Sequence, residues 1–141
     1  MSKWQLVHIH KVTENDGTLY VMEDGNQVPF DIKRIFLVAN VASGKSRGDH
    51  ATKKTRLILF PVAGSCKVVV DDGEQKEAFI MNDPSTGLLI EPMVWRSMQE
   101  FTSDCVMMAV CDRVFEPGNE TYDDYNQFLN ELNKLDPKPE F

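Results

Sequence analysis

The chain has 141 residues, 42% of them hydrophobic and 26% charged, the profile of an ordinary globular domain long enough to bury a core. A net charge of −7 argues against nucleic acid as the main partner, because phosphate binding relies on clustered Lys and Arg. No apolar run approaches the roughly 20 residues that cross a bilayer, and MSKWQLVHIH lacks the apolar core and cleavage site of a signal peptide, so the expectation is one cytoplasmic domain over 1–141 with no membrane partner.

Leu6 to Lys11 alternates well enough for an opening strand, and Asp16-Gly17 makes a turn before Leu19 to Met22, which predicts a hairpin. His8 and His10 fall on one face of that strand as an HxH metal pair would. No carboxylate or second pair accompanies them, and an ordinary polar strand face is the preferred reading. Val28-Pro29-Phe30 opens a segment whose core, Ile35 to Val41, is a continuous apolar run suited to a strand covered on both sides. Ser43-Gly44-Lys45-Ser46 resembles the tail of a phosphate loop. The full pattern requires glycine where Ala39 stands, and no helix follows, so a nucleotide-hydrolysing loop is rejected.

The centre of the chain is Arg47 to Gly64, RGDHATKKTRLILFPVAG, which reads as a strand with a polar, titratable face ending in a turn at Ala63 and Gly64. Alternation puts His50, Thr52, Lys54 and Arg56 on one face and Asp49, Ala51, Lys53 and Thr55 on the other. His50 is the first candidate for chemistry, because its ordinary pKa of about 6.5 suits a general base near neutral pH. Lys45, Arg47, Lys53, Lys54 and Arg56 surround it against one acid, Asp49, a cluster that fits a solvated face and a diphosphate site equally well.

Beyond it, Ser65 to Val70 and Glu77 to Met81 flank Asp71-Asp72-Gly73, a strong hairpin signal, and Gly87 to Glu91 and Val106 to Val110 supply further strands. Many short strands at regular spacing predict a sandwich or barrel. Cys66, Cys105 and Cys111 lie in apolar runs without CxxC spacing and read as buried small hydrophobes rather than a disulfide framework. In the tail, Tyr122, Tyr125, Phe128 or Leu129, Leu132 and Leu135 recur at spacings of three and four, which predicts a helix over 121–135 with Thr121 and Asp124 in capping positions. Pro137 and Pro139 would end it in a frayed terminus.

Three segments in order, VPFDIKRIFLV from Val28, RGDHA from Arg47 and DPSTGLLIEPMVWRSMQEFTSDCVMMAV from Asp83, resemble the dTDP-sugar 3,4-ketoisomerases, with the similarity running from about Trp4 to Leu129. The resemblance implies an all-β cupin, a jelly-roll barrel with a C-terminal α-helix. It also implies an enzyme of deoxysugar and lipopolysaccharide biosynthesis that turns a nucleotide-linked 4-keto-6-deoxyhexose into its 3-keto isomer by proton transfer through an enediol. Family members look like homodimers that exchange N-terminal strands, a role residues 1–12 could take as readily as an edge strand within one subunit. No cofactor is expected. A metal cupin would need a second histidine and a carboxylate where this chain has Thr52 and no acid between Lys53 and Gly64.

By that resemblance His50 is the base and proton carrier, and Thr52 stands where the family's RGxHAH pattern has a second histidine, a hydroxyl that relays but cannot act as a free acid or base. Arg34 and Arg47 are candidates for the diphosphate or for orienting the base, joined by Phe36, Arg56, Arg96 and Trp95 as candidate substrate contacts, with a structural role for Trp95 fitting equally well. Phe36 replaces a family tyrosine and Asp16 an Arg or Tyr. These departures favour two rivals: an isomerase or epimerase acting on another nucleotide sugar, and a sugar-nucleotide binding module without catalysis.

Overall fold

The computed structural model describes residues 2–135 and 137. Its first half carries β1 (Trp4–His8), β2 (His10–Glu14), β3 (Gly17–Val21), β4 (Arg34–Ala39), β5 (Arg47–Thr52) and β6 (Leu57–Ala63). The second half carries β7 (Cys66–Asp71), β8 (Lys76–Met81), β9 (Thr86–Ile90), β10 (Trp95–Gln99), β11 (Val106–Cys111), the short β12 (Thr121–Tyr122) and α1 (Tyr125–Leu135). One five-stranded sheet runs β1-β9-β6-β11-β4, the other β12-β5-β10-β7-β8, and β2-β3 stands apart as a hairpin. This is the two-sheet, all-β arrangement with a C-terminal helix expected of a cupin.

The two sheets close on a shared core. Leu57, Leu59, Leu88, Ile90, Met107 and Ala109 from the first meet Val68, Val70 and Met98 from the second. Strand β6 shows why its run is apolar at every position. Leu57 and Leu59 point into that core, while Ile58 and Phe60 point outward and are covered by Ile9, Val28, Met22, Phe30 and Ile32. All three cysteines are buried and free, as their apolar surroundings predict.

Four expectations are corrected here. Arg47 to Gly64 is two strands in different sheets, not one, because the chain crosses between layers at Lys53–Arg56. The Thr52 hydroxyl donates to the Thr55 carbonyl at 2.8 Å and the Lys53 N–H to the Glu120 carbonyl at 3.0 Å, which turns the chain. Lys54 and Arg56 therefore do not share a face with His50 and Thr52. Strand β4 is the sheet edge, covered on one side only, with Ile35 and Leu37 more than half exposed. The opening strand divides at buried Ile9, whose N–H donates to Ser85, so His8 and His10 sit exposed on separate strands.

The helix begins at Tyr125 rather than Thr121, since Thr121 and Tyr122 pair with Thr52 and Ala51 as β12. Asp124 caps it, its carboxylate accepting from the Gln127 N–H at 2.9 Å. Fully buried Phe128 lies 5.8 Å from the Trp95 ring, and the Tyr125 hydroxyl donates to Asp71 at 2.7 Å. Apart from Pro137, the terminus expected to fray lies outside the described residues.

Candidate active site

The pairing of β5 with β10 sets the site. Trp95 faces Ala51 and Arg96 faces His50, but Ser97 then faces Gly48, leaving Asp49 as the extra residue of a β-bulge. Gly48 and Asp49 both take positive φ, 85° and 56°. A Cβ at Gly48 would stand 3.2 Å from the Arg96 carbonyl oxygen, so the close approach of the strands favours glycine there. Hydroxyls of Ser97 and Ser46, each donating at 2.7 Å, hold the Asp49 carboxylate. A bulge re-aims the side chain that follows it. Here that side chain is His50, directed inward opposite Arg96.

Between edge strand β4 and strand β5 lies a cavity of about 370 Å³. Arg34 and Phe36 line it from β4, His50 and Thr52 from β5, and Arg96 from β10. The connection from β11 to β12 closes the remaining side with Phe115, Glu120 and Thr121. A groove of about 460 Å³ between α1 and the β7–β8 hairpin is larger, but the residues around it include no histidine and no buried cation. The chemistry points to the smaller cavity.

Its charges are arranged around two arginines. Arg34 donates to Glu120 at 2.8 Å and lies between the rings of Phe36 and Phe115, at 5.8 and 5.6 Å. Glu120 also accepts from the Thr55 hydroxyl at 2.9 Å and the Glu116 N–H at 3.1 Å. Burial works against its charge, but these bonds outweigh burial and hold its carboxyl below the ordinary range. Arg96 is nearly inaccessible. Burial, with Arg34 nearby, pushes its pKa down to about 10, so it stays cationic at neutral pH. Nε and Nη1 of both arginines are buried without a hydrogen-bond partner among the described residues. Four unpaired donors around one cavity are costly unless a ligand's oxygens meet them.

His50 Nε2 lies 3.1 Å from Arg96 Nη2. A guanidinium only donates, so Nε2 must accept, and the ring's proton rests on Nδ1. Burial and the facing Arg96 charge lower the His50 pKa to about 4, while Asp123, Asp49 and Glu120 act in the opposite direction. The imidazole is therefore a neutral base at physiological pH, its lone pair inside the cavity beside a cation.

The cavity unites Arg34, Phe36, His50, Thr52 and Arg96 of the residues singled out in the sequence. Thr52 is buried and its hydroxyl proton is engaged by Thr55. Three candidates for substrate contact are not brought there. Trp95 is on the opposite face of β10 from Arg96, edge-on to Tyr125 at 5.3 Å, as alternation along a strand requires. Arg56, beyond the crossover, donates to Glu91 at 2.7 Å on the outer side, and exposed Arg47 borders a separate depression with Leu37 and Lys45. Phe115, Glu120, Thr121 and Asp123 are additions that the sequence reading missed. Glu120, Thr121 and Asp123 lie some seventy positions beyond His50, at and just before a predicted helix start, where the cue was the acidic ETYDD run; Phe115 lies before that run.

The model of the FdtA family, described as WxcM-like, C-terminal, matches residues 2–133. A TDP-4-oxo-6-deoxy-alpha-D-glucose-3,4-oxoisomerase of Aneurinibacillus thermoaerophilus is 30% identical over 131 residues, 92% of this chain and 94% of the relative. The 3,4-ketoisomerase QdtA of Thermoanaerobacterium thermosaccharolyticum, solved as a mutant with TDP-4-keto-6-deoxyglucose, superposes with a TM-score of 0.92 at 28% identity, covering 98% of this chain and 99% of that one. WlaRA, a TDP-fucose-3,4-ketoisomerase of Campylobacter jejuni, gives 0.87 at 28% identity, over 95% and 98%.

Proposed function

The chain belongs to the FdtA family of WxcM-like proteins, and from that membership and the cavity's geometry we propose that it is a nucleotide-sugar 3,4-ketoisomerase acting on a dTDP-4-keto-6-deoxyhexose. The observation that carries this reading is the neutral His50 imidazole facing the buried, half-unpaired Arg96 across the cavity. Arg96 receives the C4 keto oxygen on its open donors, which draws it from Nε2 and frees that lone pair. Nε2 removes the C3 proton and the C3–H electron pair forms the C3–C4 double bond. The C4=O π pair moves to oxygen, where Arg96 holds the enediolate. The C3 hydroxyl passes its proton to the C4 oxygen, its O–H electron pair forms the C3=O bond, and the double-bond pair takes the proton back from His50 at C4, so that the 3-keto, 4-hydroxy sugar results. No electrons leave the sugar, so a redox cofactor has no part in the balance.

In this reading Arg34 takes the diphosphate, a role supported by its hold on Glu120 and its contacts with the Phe36 and Phe115 rings. The assembly is read as a homodimer. Support comes from exposed Leu6 on edge strand β1 and exposed Leu19 and Tyr20 on the separate β2–β3 hairpin. Cytoplasmic deoxysugar and lipopolysaccharide synthesis is the setting that a nucleotide-linked substrate suits.

The test is to incubate the protein with dTDP-4-keto-6-deoxyglucose in heavy water and follow deuterium at C3 and C4. Exchange is expected for the wild type and falls by about 10²–10⁴-fold in His50→Ala. Wild-type protein that exchanges nothing overturns the proposal. A second reading has one observation in its favour, the Thr52 hydroxyl engaged by Thr55 where the family has its second histidine. It is an isomerase or epimerase on another nucleotide sugar, or a binding module. Exchange only with UDP- or GDP-linked keto sugars identifies the first, and tight binding without exchange the second.

A further inference from the structure

His50 has two ring nitrogens, and the proposed reaction uses only one of them. The other, Nδ1, lies 3.9 Å from Oδ1 of Asp123, in the connection between β12 and α1. That carboxylate is exposed, and the Thr121 hydroxyl donates to the same oxygen at 2.8 Å. Thr121 is itself held in register opposite Thr52, two residues beyond His50 on β5. With Arg96 donating to Nε2, the Nδ1–H has to point toward that side of the ring, where a carboxylate stands 3.9 Å away, close enough for its charge to act although beyond hydrogen-bond reach.

We infer that Asp123 is a positioning residue for His50: it steadies the imidazole with its proton on Nδ1 and stabilises the imidazolium that forms when Nε2 takes a proton from the sugar. The inference rests on the isomerase reading for its catalytic meaning, but its geometry is a property of the free protein. Without a second histidine in the cavity, His50 carries the proton from one carbon to the other as an imidazolium, and it does so beside a guanidinium that opposes that charge. The charged groups facing the ring are Arg96 from β10, Asp49 from β5, Glu120 at the edge of β12 and Asp123. Two of the three carboxylates are engaged elsewhere, Asp49 by Ser46 and Ser97 and Glu120 by Arg34 and Thr55. Asp123 has one hydroxyl partner and is an exposed carboxylate standing 3.9 Å from Nδ1, ready to pair with the ring once it is protonated.

The experiment compares wild type, Asp123→Asn, Asp123→Glu and Thr121→Val by two independent readouts. Titration of His50 by ¹⁵N NMR in the unliganded protein should show its midpoint falling by roughly 0.5 to 1 pH unit in Asp123→Asn, as loss of one nearby charge predicts. Asp123→Glu should restore most of it, and Thr121→Val should move it a smaller distance the same way. In the exchange assay Asp123→Asn should lower kcat by on the order of tenfold with KM nearly unchanged, less than removal of the base itself. An unmoved midpoint in folded Asp123→Asn overturns the inference, as does a kcat loss accompanied by no change in titration, since that pattern marks a merely structural role. If wild type exchanges no hydrogen with any keto sugar, the isomerase reading fails, while the titration still decides whether Asp123 governs the His50 ring.

Discussion

Strand β10 presents two neighbouring residues to opposite surroundings, and the contrast separates what holds this protein together from what it is built to do. On the outer face Trp95 packs against Tyr125 and Phe128, and the Tyr125 hydroxyl is satisfied by Asp71. On the inner face Arg96 is almost inaccessible, yet two of its three nitrogens have no partner. An apolar side chain of similar volume would fill that place without the desolvation cost. Saturated contacts on one side and open donors on the other are what a scaffold and a ligand site look like when a single strand serves both.

Substitutions on the two faces should therefore fail in opposite ways. Arg96→Met is expected to abolish exchange, by about 10²–10³-fold, the scale for losing one preorganised oxyanion donor. At the same time it should leave stability unchanged or raise it by roughly 1–3 kcal/mol, because it removes an incompletely paired buried charge. Urea unfolding measured beside the exchange assay checks both; a strongly destabilised Arg96→Met would mean that the guanidinium is structural after all. Phe128→Ala should do the reverse. It loses about 3–5 kcal/mol of stability, the usual range for deleting a fully buried aromatic ring, while exchange by the remaining folded protein stays close to wild type.

The smallest effect is on pH dependence and sharpens the account of His50. Its pKa is about 4 when folded, against an ordinary value near 6.5. Above pH 6.5 neither state binds the proton and no penalty exists. Between pH 6.5 and 4 the unfolded chain takes up a proton that the folded chain refuses, so stability falls with acidification, by up to roughly 3 kcal/mol at pH 4. His50→Gln lacks this contribution. The wild-type loss in excess of the variant's, read from urea curves across that range, isolates it from the carboxylates, which titrate in both proteins. Equal losses would show the ring to be solvated rather than buried beside Arg96.

Much of the site was legible because it is carried by short, ordered motifs. The RGDH run marked His50, and the positive φ of Gly48 and Asp49 explains why glycine and aspartate precede it. Arg34, Phe36 and Arg96 were also recognised from their segments, and all line the cavity. Trp95, which read equally well as structural or as a stacking residue, lies outside the cavity because the strand period keeps it off the face that carries Arg96. Arg56 lies away from the cavity because alternation does not continue through Lys53–Arg56, where the chain leaves one sheet for the other. Glu120 and Asp123 were missed because their relation to His50 exists only through the pairing of Thr121 and Tyr122 with Thr52 and Ala51.

The amino-acid sequence by itself determined the all-β class, most strand positions, the C-terminal helix and the choice of His50 as the candidate base, since hydrophobic period, turn residues and motif order are local properties of the chain. Only the tertiary structure decided which residues surround His50 and its cavity: Arg96 on one ring nitrogen, Asp123 near the other, and Arg34 tied to Glu120 across 86 positions. The physical reason is that a strand's period states which residues share a face, but which faces come together, and which buried donors are left for a ligand, depends on how the two sheets are paired and closed.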